Sequence, residues 1–299
     1  MEKIILETPA KVNLFLDVTG KRPDGYHELS TVFQAVGLTD RILLEKTGTP
    51  GIVLDDATGL VPVPMDGTNL MVRAAKLLFD RHALPGGLSI RFQKSIPAGA
   101  GLGGGSSDAA AVLYGMNRIY GLGLTKAELM AAGVHLGADV PFFLEGGACL
   151  ASGIGEELIP LPKKAPVDMV IVKPEASAST KAVFQAFDGT EARESRKADD
   201  TVAAFSGPDD TFPEAVSRSL YNALEPVTAE FVPDVAAIRR ELLENGALGA
   251  LMSGSGSSVF GIFRDRKTAE NAFFKAVRGN RKGTLTATRQ DGIREITYF

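Results

Sequence analysis

Cysteine occurs once in the 299 residues, at Cys149. A lone thiol excludes an intrachain disulfide framework and a cysteine-rich zinc site, and it points to a reducing compartment, with the cytoplasm as the expectation. Histidine is almost as scarce. His27, His82 and His135 are scattered and lack the close spacing of a metal site; the last two lie in helical patterns and read as structural or surface residues. No charge of one sign prevails either, since 32 basic and 36 acidic side chains leave a formal net charge of -4. They are intermixed, so no basic stripe is available to neutralise a phosphate polymer, and no nucleic acid is expected as a partner. No apolar run approaches the roughly 18 residues of a membrane span, so no membrane association is expected. The opening MEKIILETPAKVNLFLDV is broken by Glu2, Lys3, Glu7 and Lys11, and no secretory leader is expected there. Nothing in the chain makes an obligate protein partner evident.

What is present is ordinary in composition, with 44% apolar and 23% charged residues, and the length suits two modest domains or one large one. From Ala10 the sequence alternates, with Ala10, Val12, Leu14, Leu16 and Val18 apolar and Lys11, Asn13 and Asp17 between them, Phe15 being the exception. That is the pattern of a half-buried strand. RPDG, residues 22–25, is a turn signal, and YHELSTVFQAVGL can return as a second strand, so a hairpin is predicted. A helix is predicted over NLMVRAAKLLFDR, residues 69–81, then a strand in GLSIRFQKSIP, a helix over about 107–120, and another from Thr125 with a Thr125/Glu128 capping box. VDMVIVKP opens a second unit. Residues 188–210 turn polar and read as an exposed loop or insertion. Helical patterning resumes from Pro213 to Asn245, followed by strand, loop and strand in ALGALMSGSGSSVFGIF, a last helix near Lys267 and a closing strand. This mixture without steady alternation argues an α+β fold in two domains.

The stretch IPAGAGLGGGSSDAAAVLYGMN places five glycines between Pro97 and Ser107, directly ahead of an alanine-rich run. Fixing so many glycines is entropically expensive, and glycines leading into a helix let backbone N–H groups crowd around an anion, where the helix dipole adds about half a positive charge. Phosphate is the natural ligand. Ser106 and Ser107 are expected to cap the helix or to reach a phosphate oxygen or its magnesium ion with their hydroxyls. A plain structural turn is the competing explanation. No GxxxxGK[ST] is present, which excludes a P-loop. GAGLGG fits GxGxxG, but a dinucleotide fold needs a strand after the first helix, and here a second helix follows.

Four blocks occur in order: PAKVNLFLDVTGKRPDGYHEL, PAGAGLGGGSSDAAAVL, HLGADVPFFLEGGACLASGIGEEL and LMSGSGSSVFGIF. Together, over roughly residues 8 to 262, they make the sequence resemble the GHMP small-molecule kinases. The resemblance implies a two-domain fold, with an N-terminal nucleotide-binding domain over 1–164, a C-terminal ferredoxin-like α/β sandwich over 165–299, and the active site in the cleft between them. It implies ATP and Mg2+. DGYHE and GADVPFF narrow it to a branch in which the γ-phosphoryl group passes to the 2-hydroxyl of diphosphocytidyl-methylerythritol, a cytidyl diphosphate sugar alcohol of the non-mevalonate isoprenoid route. Another GHMP kinase acting on a sugar, homoserine or mevalonate-type alcohol, and a non-catalytic nucleotide or metabolite binder, are the alternatives.

The resemblance carries roles onto particular residues. Lys11 matches the family's catalytic lysine, and two-residue spacing on a strand puts Asn13 beside it, about 7 Å away, as a substrate contact. Asp139 matches the general base; taken alone, an aspartate after Gly-Ala is an ordinary cap or turn residue. The nucleotide loop comprises Pro97, Ala98, Gly99, Ala100, Gly101, Leu102, Gly103, Gly104, Gly105, Ser106 and Ser107. Asn69 resembles the family's adenine-side asparagine, and a helix N-cap explains it equally simply. Tyr26 and His27 offer an aromatic face and a hydrogen-bonding imidazole suited to a pyrimidine, with hairpin packing as the alternative. Phe184 is a candidate for a second aromatic wall. The Ser-Gly loop at residues 253–258 is expected either to add N–H donors for phosphate or to brace the first loop, a simple β-turn cluster being the alternative.

Overall fold

The first two strands form one long hairpin in the computed structural model, which describes residues 2–190 and 195–299. β1 (Lys3–Lys21) and β2 (His27–Thr47) pair antiparallel through the expected turn, where Gly25 takes φ 90° and the Asp24 carboxylate accepts the Tyr26 N–H at 3.1 Å. The register slips between Asn13 and Phe15. A bulge there inserts one residue and shifts the alternation, which accounts for Phe15 breaking the pattern. Burial departs from the half-buried expectation, because Lys11, Asn13 and Asp17 are as enclosed as the apolar set; the polar face of β1 looks into the molecule.

β4 (Gly87–Gln93) pairs with the far half of β2, β3 (Gly51–Asp56) lies beyond it, and β5 (Ala148–Ser152) and β6 (Glu157–Pro160) extend from the near half. Helices α1 (Leu70–His82), α2 (Gly104–Tyr120), α3 (Lys126–Val134) and α4 (Val140–Glu145) cover this sheet. α2 is the central helix, and Ala109 to Leu113 are fully buried. At Gly115 a Cβ would come within 2.4 Å of a Leu44 methyl, so side chains of β1 and β2 press directly on the helix backbone. Cys149 packs in β5, where burial pushes its thiol up to about 12, an inert filler rather than a nucleophile.

β7 (Asp168–Lys173), β9 (Gly249–Met252), β10 (Val259–Ile262) and β11 (Lys282–Ala287) make a second, antiparallel sheet in the order β11-β7-β10-β9. With α9 (Asp234–Glu244) between β7 and β9 and α10 (Arg266–Ala276) between β10 and β11, this is the split βαββαβ order of a ferredoxin-like sandwich. The chain also crosses back: β8 (Tyr221–Asn222) and β12 (Arg294–Glu295) both pair with β1. A cluster containing Val12, Val32, Ile96, Ile171, Phe205 and Phe260 is common to both sheets, so the halves share one apolar junction.

Two further expectations are corrected. α2 begins at Gly104, three residues before the predicted start, with Gly103 as N-cap and no side-chain cap bond. Glycine's poor helix propensity hides the first turn, and the tight fit requires it, since a Cβ on Gly104 would lie 2.8 Å from Ile96. The polar segment 188–210 is no simple exposed loop. α5 (Thr180–Asp188) ends in it, and α6 (Asp199–Ser206) buries Ala204 and Phe205 in the shared junction, packing on α7 (Phe212–Arg218) through a Phe205–Phe212 edge contact. Residues 191–194 of that segment lie outside the described residues.

Candidate active site

A cavity of about 650 Å3 lies where β1, the amino-terminal ends of α1, α2 and α4, α5 and the β9–β10 loop converge. Residues 97–101 and 103–106 of the glycine loop line it. Gly101 and Gly103 take φ 75° and 72°, a conformation that favours glycine. At Gly101 a Cβ would sit 2.0 Å from the Ser253 carbonyl oxygen, and at Gly103 it would sit 2.6 Å from the Phe143 ring. The first-turn amides of α2 have no intrahelical acceptor, and they open onto this wall.

Two loop residues face elsewhere. Leu102 is buried, and its carbonyl accepts the Lys11 N–H at 3.0 Å. The Ser107 hydroxyl neither caps α2 nor reaches the cavity: it donates to the Pro9 carbonyl at 2.6 Å and lies 2.5 Å from the Thr8 hydroxyl. The second turn of the helix carries it to the β1 side, so the Ser107 side chain is a helix–strand tie. Ser106 borders the cavity.

The 253–258 loop braces the first. Ser253 Oγ donates to the Gly101 carbonyl at 2.9 Å, and the Ser258 N–H to the Ala100 carbonyl at 3.2 Å. Asn222 in turn donates to the Met252 and Gly254 carbonyls, each at 2.8 Å. Gly254, Ser255 and Gly256 also reach the cavity wall.

Lys11 and Asp139 meet here, with Nζ 3.7 Å from Oδ2. Lys11 is 4% exposed. Its Nζ donates to Asn13 Oδ1 at 2.7 Å, Asn13 Nδ2 donates to Thr31 Oγ1 at 2.8 Å, and Thr31 closes the chain on the Phe15 carbonyl at 2.6 Å. The ammonium also lies 5.1 Å from the Phe33 ring centre. Burial pushes Lys11 below the ordinary lysine value, and the Asp139 carboxylate offsets part of that. Asp139, ahead of the first turn of α4, makes no side-chain cap bond, which leaves its carboxylate facing the cavity.

Asn69 is the N-cap of α1. Its Oδ1 accepts the Met71 N–H at 2.9 Å and its Nδ2 donates to the Pro64 carbonyl at 2.7 Å, while the residue also borders the cavity. Tyr26 projects from the hairpin tip, 60% exposed. His27 is stacked on Phe184, ring centres 4.7 Å apart and planes at 26°. Phe184 lines the cavity, whereas the side chains of Tyr26 and His27 are outside its lining.

One cluster escapes a reading of the sequence. Lys94 Nζ donates to Asp40 Oδ2 and, at 2.6 Å, to Asp108 Oδ2; Asp40 Oδ1 accepts the Ser95 and Ile96 N–H groups at 2.6 and 2.9 Å. All three side chains are buried. Burial raises Asp108 to about 8, with Lys94 opposing and Asp40 adding to the shift. Burial works against the charge of Lys94, yet its two carboxylate neighbours outweigh it and its pKa is raised. Asp108 Oδ1 has no hydrogen-bond partner. A signal was available, in that Asp108 is an acid inside an alanine-rich apolar helix face, where an unpaired charge is costly.

The chain matches the models for the GHMP kinases N terminal domain over residues 69–147 and the GHMP kinases C terminal domain over 202–279. A 4-diphosphocytidyl-2-C-methyl-D-erythritol kinase of Syntrophomonas wolfei is 44% identical over 269 residues, covering 90% of this chain and 92% of that protein. Its namesake in Syntrophotalea carbinolica is 46% identical over 264 residues, 88% of this chain and 91% of that one. A crystal structure of 4-(cytidine 5'-diphospho)-2C-methyl-D-erythritol kinase superposes with a TM-score of 0.77 at 34% identity, covering 96% of this chain and all of the other.

Proposed function

From a chain that belongs to the GHMP kinases and, within them, to the 4-diphosphocytidyl-2-C-methyl-D-erythritol kinases, we propose ATP-dependent phosphorylation of the 2-hydroxyl of 4-diphosphocytidyl-2-C-methyl-D-erythritol, a step of the non-mevalonate isoprenoid route. The reaction takes place in the cytoplasm, on small molecules alone. Residues 1–164 hold the nucleotide, and 165–299 close the other side of the cleft.

The observation that carries this reading is the Lys11–Asp139 approach of 3.7 Å at the mouth of α2. The triphosphate lies on the first-turn amides of α2, where donors and dipole favour negative charge. Asp139 orients the acceptor hydroxyl and takes its proton as the oxygen bonds to the γ-phosphorus; the bond to the β-phosphate oxygen breaks and ADP leaves. Lys11 pairs with Asp139 and offsets charge on the transferred group, which suffices for a loose transition state in which positioning and electrostatics dominate. Asn13 and Thr31 hold the ammonium in place. Asn69 borders the adenine end and Tyr26 and His27 the base end.

Mg2+ accompanies the triphosphate. Among the described residues no group of three His, Cys, Asp or Glu forms a metal cage, and the cavity instead offers the Ser106 hydroxyl and the Asp139 carboxylate. Such a donor set fits an ion held chiefly by phosphate oxygens and water. When bound, the ion neutralises charge on the β- and γ-phosphates.

An acceptor panel read by coupled ADP release tests the reading. The cytidyl alcohol is expected to be the substrate turned over, with homoserine, mevalonate and galactose inert. Turnover of a non-cytidyl alcohol alone overturns the acceptor, and nucleotide binding without any turnover makes the chain a binder.

A further inference from the structure

One carboxylate outside the cavity lining joins three elements. Asp188, the last residue of α5, accepts from Lys21 Nζ at 2.5 Å on Oδ2, and its Oδ1 lies 2.6 Å from His27 Nε2. Lys21 ends β1 and His27 begins β2, so the C-terminal end of α5 is strapped across the hairpin tip. Phe184 and Asp188 are four residues apart, on one face of the helix, and that face delivers a ring and an anion to the same imidazole: Phe184 stacks on His27 while Asp188 takes its Nε2–H.

The arrangement is layered. His27 is outside the cavity lining and Phe184 within it, so the imidazole backs the phenyl ring, which packs in part against the apolar core of the second sheet and offers the cavity the surface that is left. α5 buries Val183 alone in full, with Phe184 and Phe187 packed in part against the same core and Thr180 Oγ1 2.8 Å from Ser255 Oγ at its start; the clasp adds the tie at its C-terminal end, one turn from the ring. Hydrogen bonds from Lys21, foremost, and from His27 lower the Asp188 pKa, so the carboxylate stays ionised. An immobilised ring loses less conformational entropy when a base stacks on it.

We propose that Asp188 is a positioning residue for the base-binding end: by clamping His27 behind Phe184, it presents the phenyl face to the pyrimidine and sets affinity for cytidine-bearing acceptors. The inference rests on the cytidyl reading of the acceptor. It assigns Asp188 no contact with substrate.

The test compares wild type with Asp188→Ala, Asp188→Asn and Asp188→Glu in the full chain, measuring kcat, KM for acceptor, KM for ATP, melting temperature, and binding of cytidine 5'-diphosphate by calorimetry. Loss of two charge-assisted bonds should raise acceptor KM and the cytidine diphosphate Kd by about tenfold in the Ala and Asn variants. ATP KM and kcat should stay within about twofold, and Glu should restore part of the affinity. Unchanged acceptor KM and Kd in the Ala variant, or a parallel rise in ATP KM with a fall in melting temperature in both Ala and Asn variants, overturns the proposal alone. A wild-type chain that neither binds cytidine diphosphate nor turns over the cytidyl alcohol overturns the acceptor reading and this proposal with it.

Discussion

The two ends of the cavity are made of different material. At the glycine-loop end the wall is backbone, clamped by a second loop through carbonyl contacts and backed by a buried charge cluster. Toward the hairpin tip it is a side chain, Phe184, and behind that ring lies a clasp whose Lys21 and Asp188 side chains are 54% and 30% exposed. A backbone wall has few alternative states and recognises what every nucleoside triphosphate shares. A side-chain wall is cheap to rearrange, and it discriminates one acceptor from another.

The largest effect should come from the charged pair between these ends. Lys11→Ala and Asp139→Asn are each expected to lower kcat by about a thousandfold or more, with ATP binding and the unfolding midpoint little changed; steady-state kinetics beside nucleotide titration and thermal melts checks this. Near wild-type turnover in either variant removes that residue from the reaction and moves the chemistry toward one end.

Next in size is a contrast between two glycines of similar conformation. Gly25 has φ 90° with no atom within 4 Å of the place a Cβ would take, whereas Gly101 has φ 75° and the Ser253 oxygen at 2.0 Å from that place. Gly25→Ala should cost about 1 kcal/mol of left-handed strain, and Gly101→Ala about 3 kcal/mol or more, because backbone must move, with ATP affinity falling as well. Urea unfolding of the pair decides it, and equal costs would end the claim that one end is rigid and the other adaptable.

The smallest effect is in pH dependence. Asp108 is raised from 3.8 to about 8, so between those values the folded chain holds a proton that the unfolded chain releases. Its contribution is full below about pH 4 and is lost as pH rises through about 8. Asp108→Asn should therefore flatten the decline of the melting temperature between about pH 4 and 8 and gain on wild type at pH 9. Parallel melting curves from pH 5 to 9 would show that the cluster does not titrate.

Local signals are legible where they act within a few residues. The RPDG turn, the Asn69 cap and the Thr125/Glu128 capping box each satisfy nearby backbone groups and need no tertiary partner. The start of α2 is hidden because Gly104 and Gly105 disfavour helix on their own, and the glycines are there for what presses against them. Residues 199–206 read as loop because DDTVAAFS shows a short apolar face, whose value depends on Phe212 and β7 being present to cover it.

By itself the sequence determined the hairpin, the glycine-led helix and the two-unit order, since periodicity, turn chemistry and composition are properties of neighbouring residues. Tertiary structure alone decided that Ser107 ties helix to strand, that Lys94 stands between two acids, and that Asp188 reaches the hairpin tip. The reason is range. Whether a buried ammonium or carboxylate is stable, and what it can do, depends on partners tens to hundreds of residues away, and those arrive only when both sheets close on their common junction.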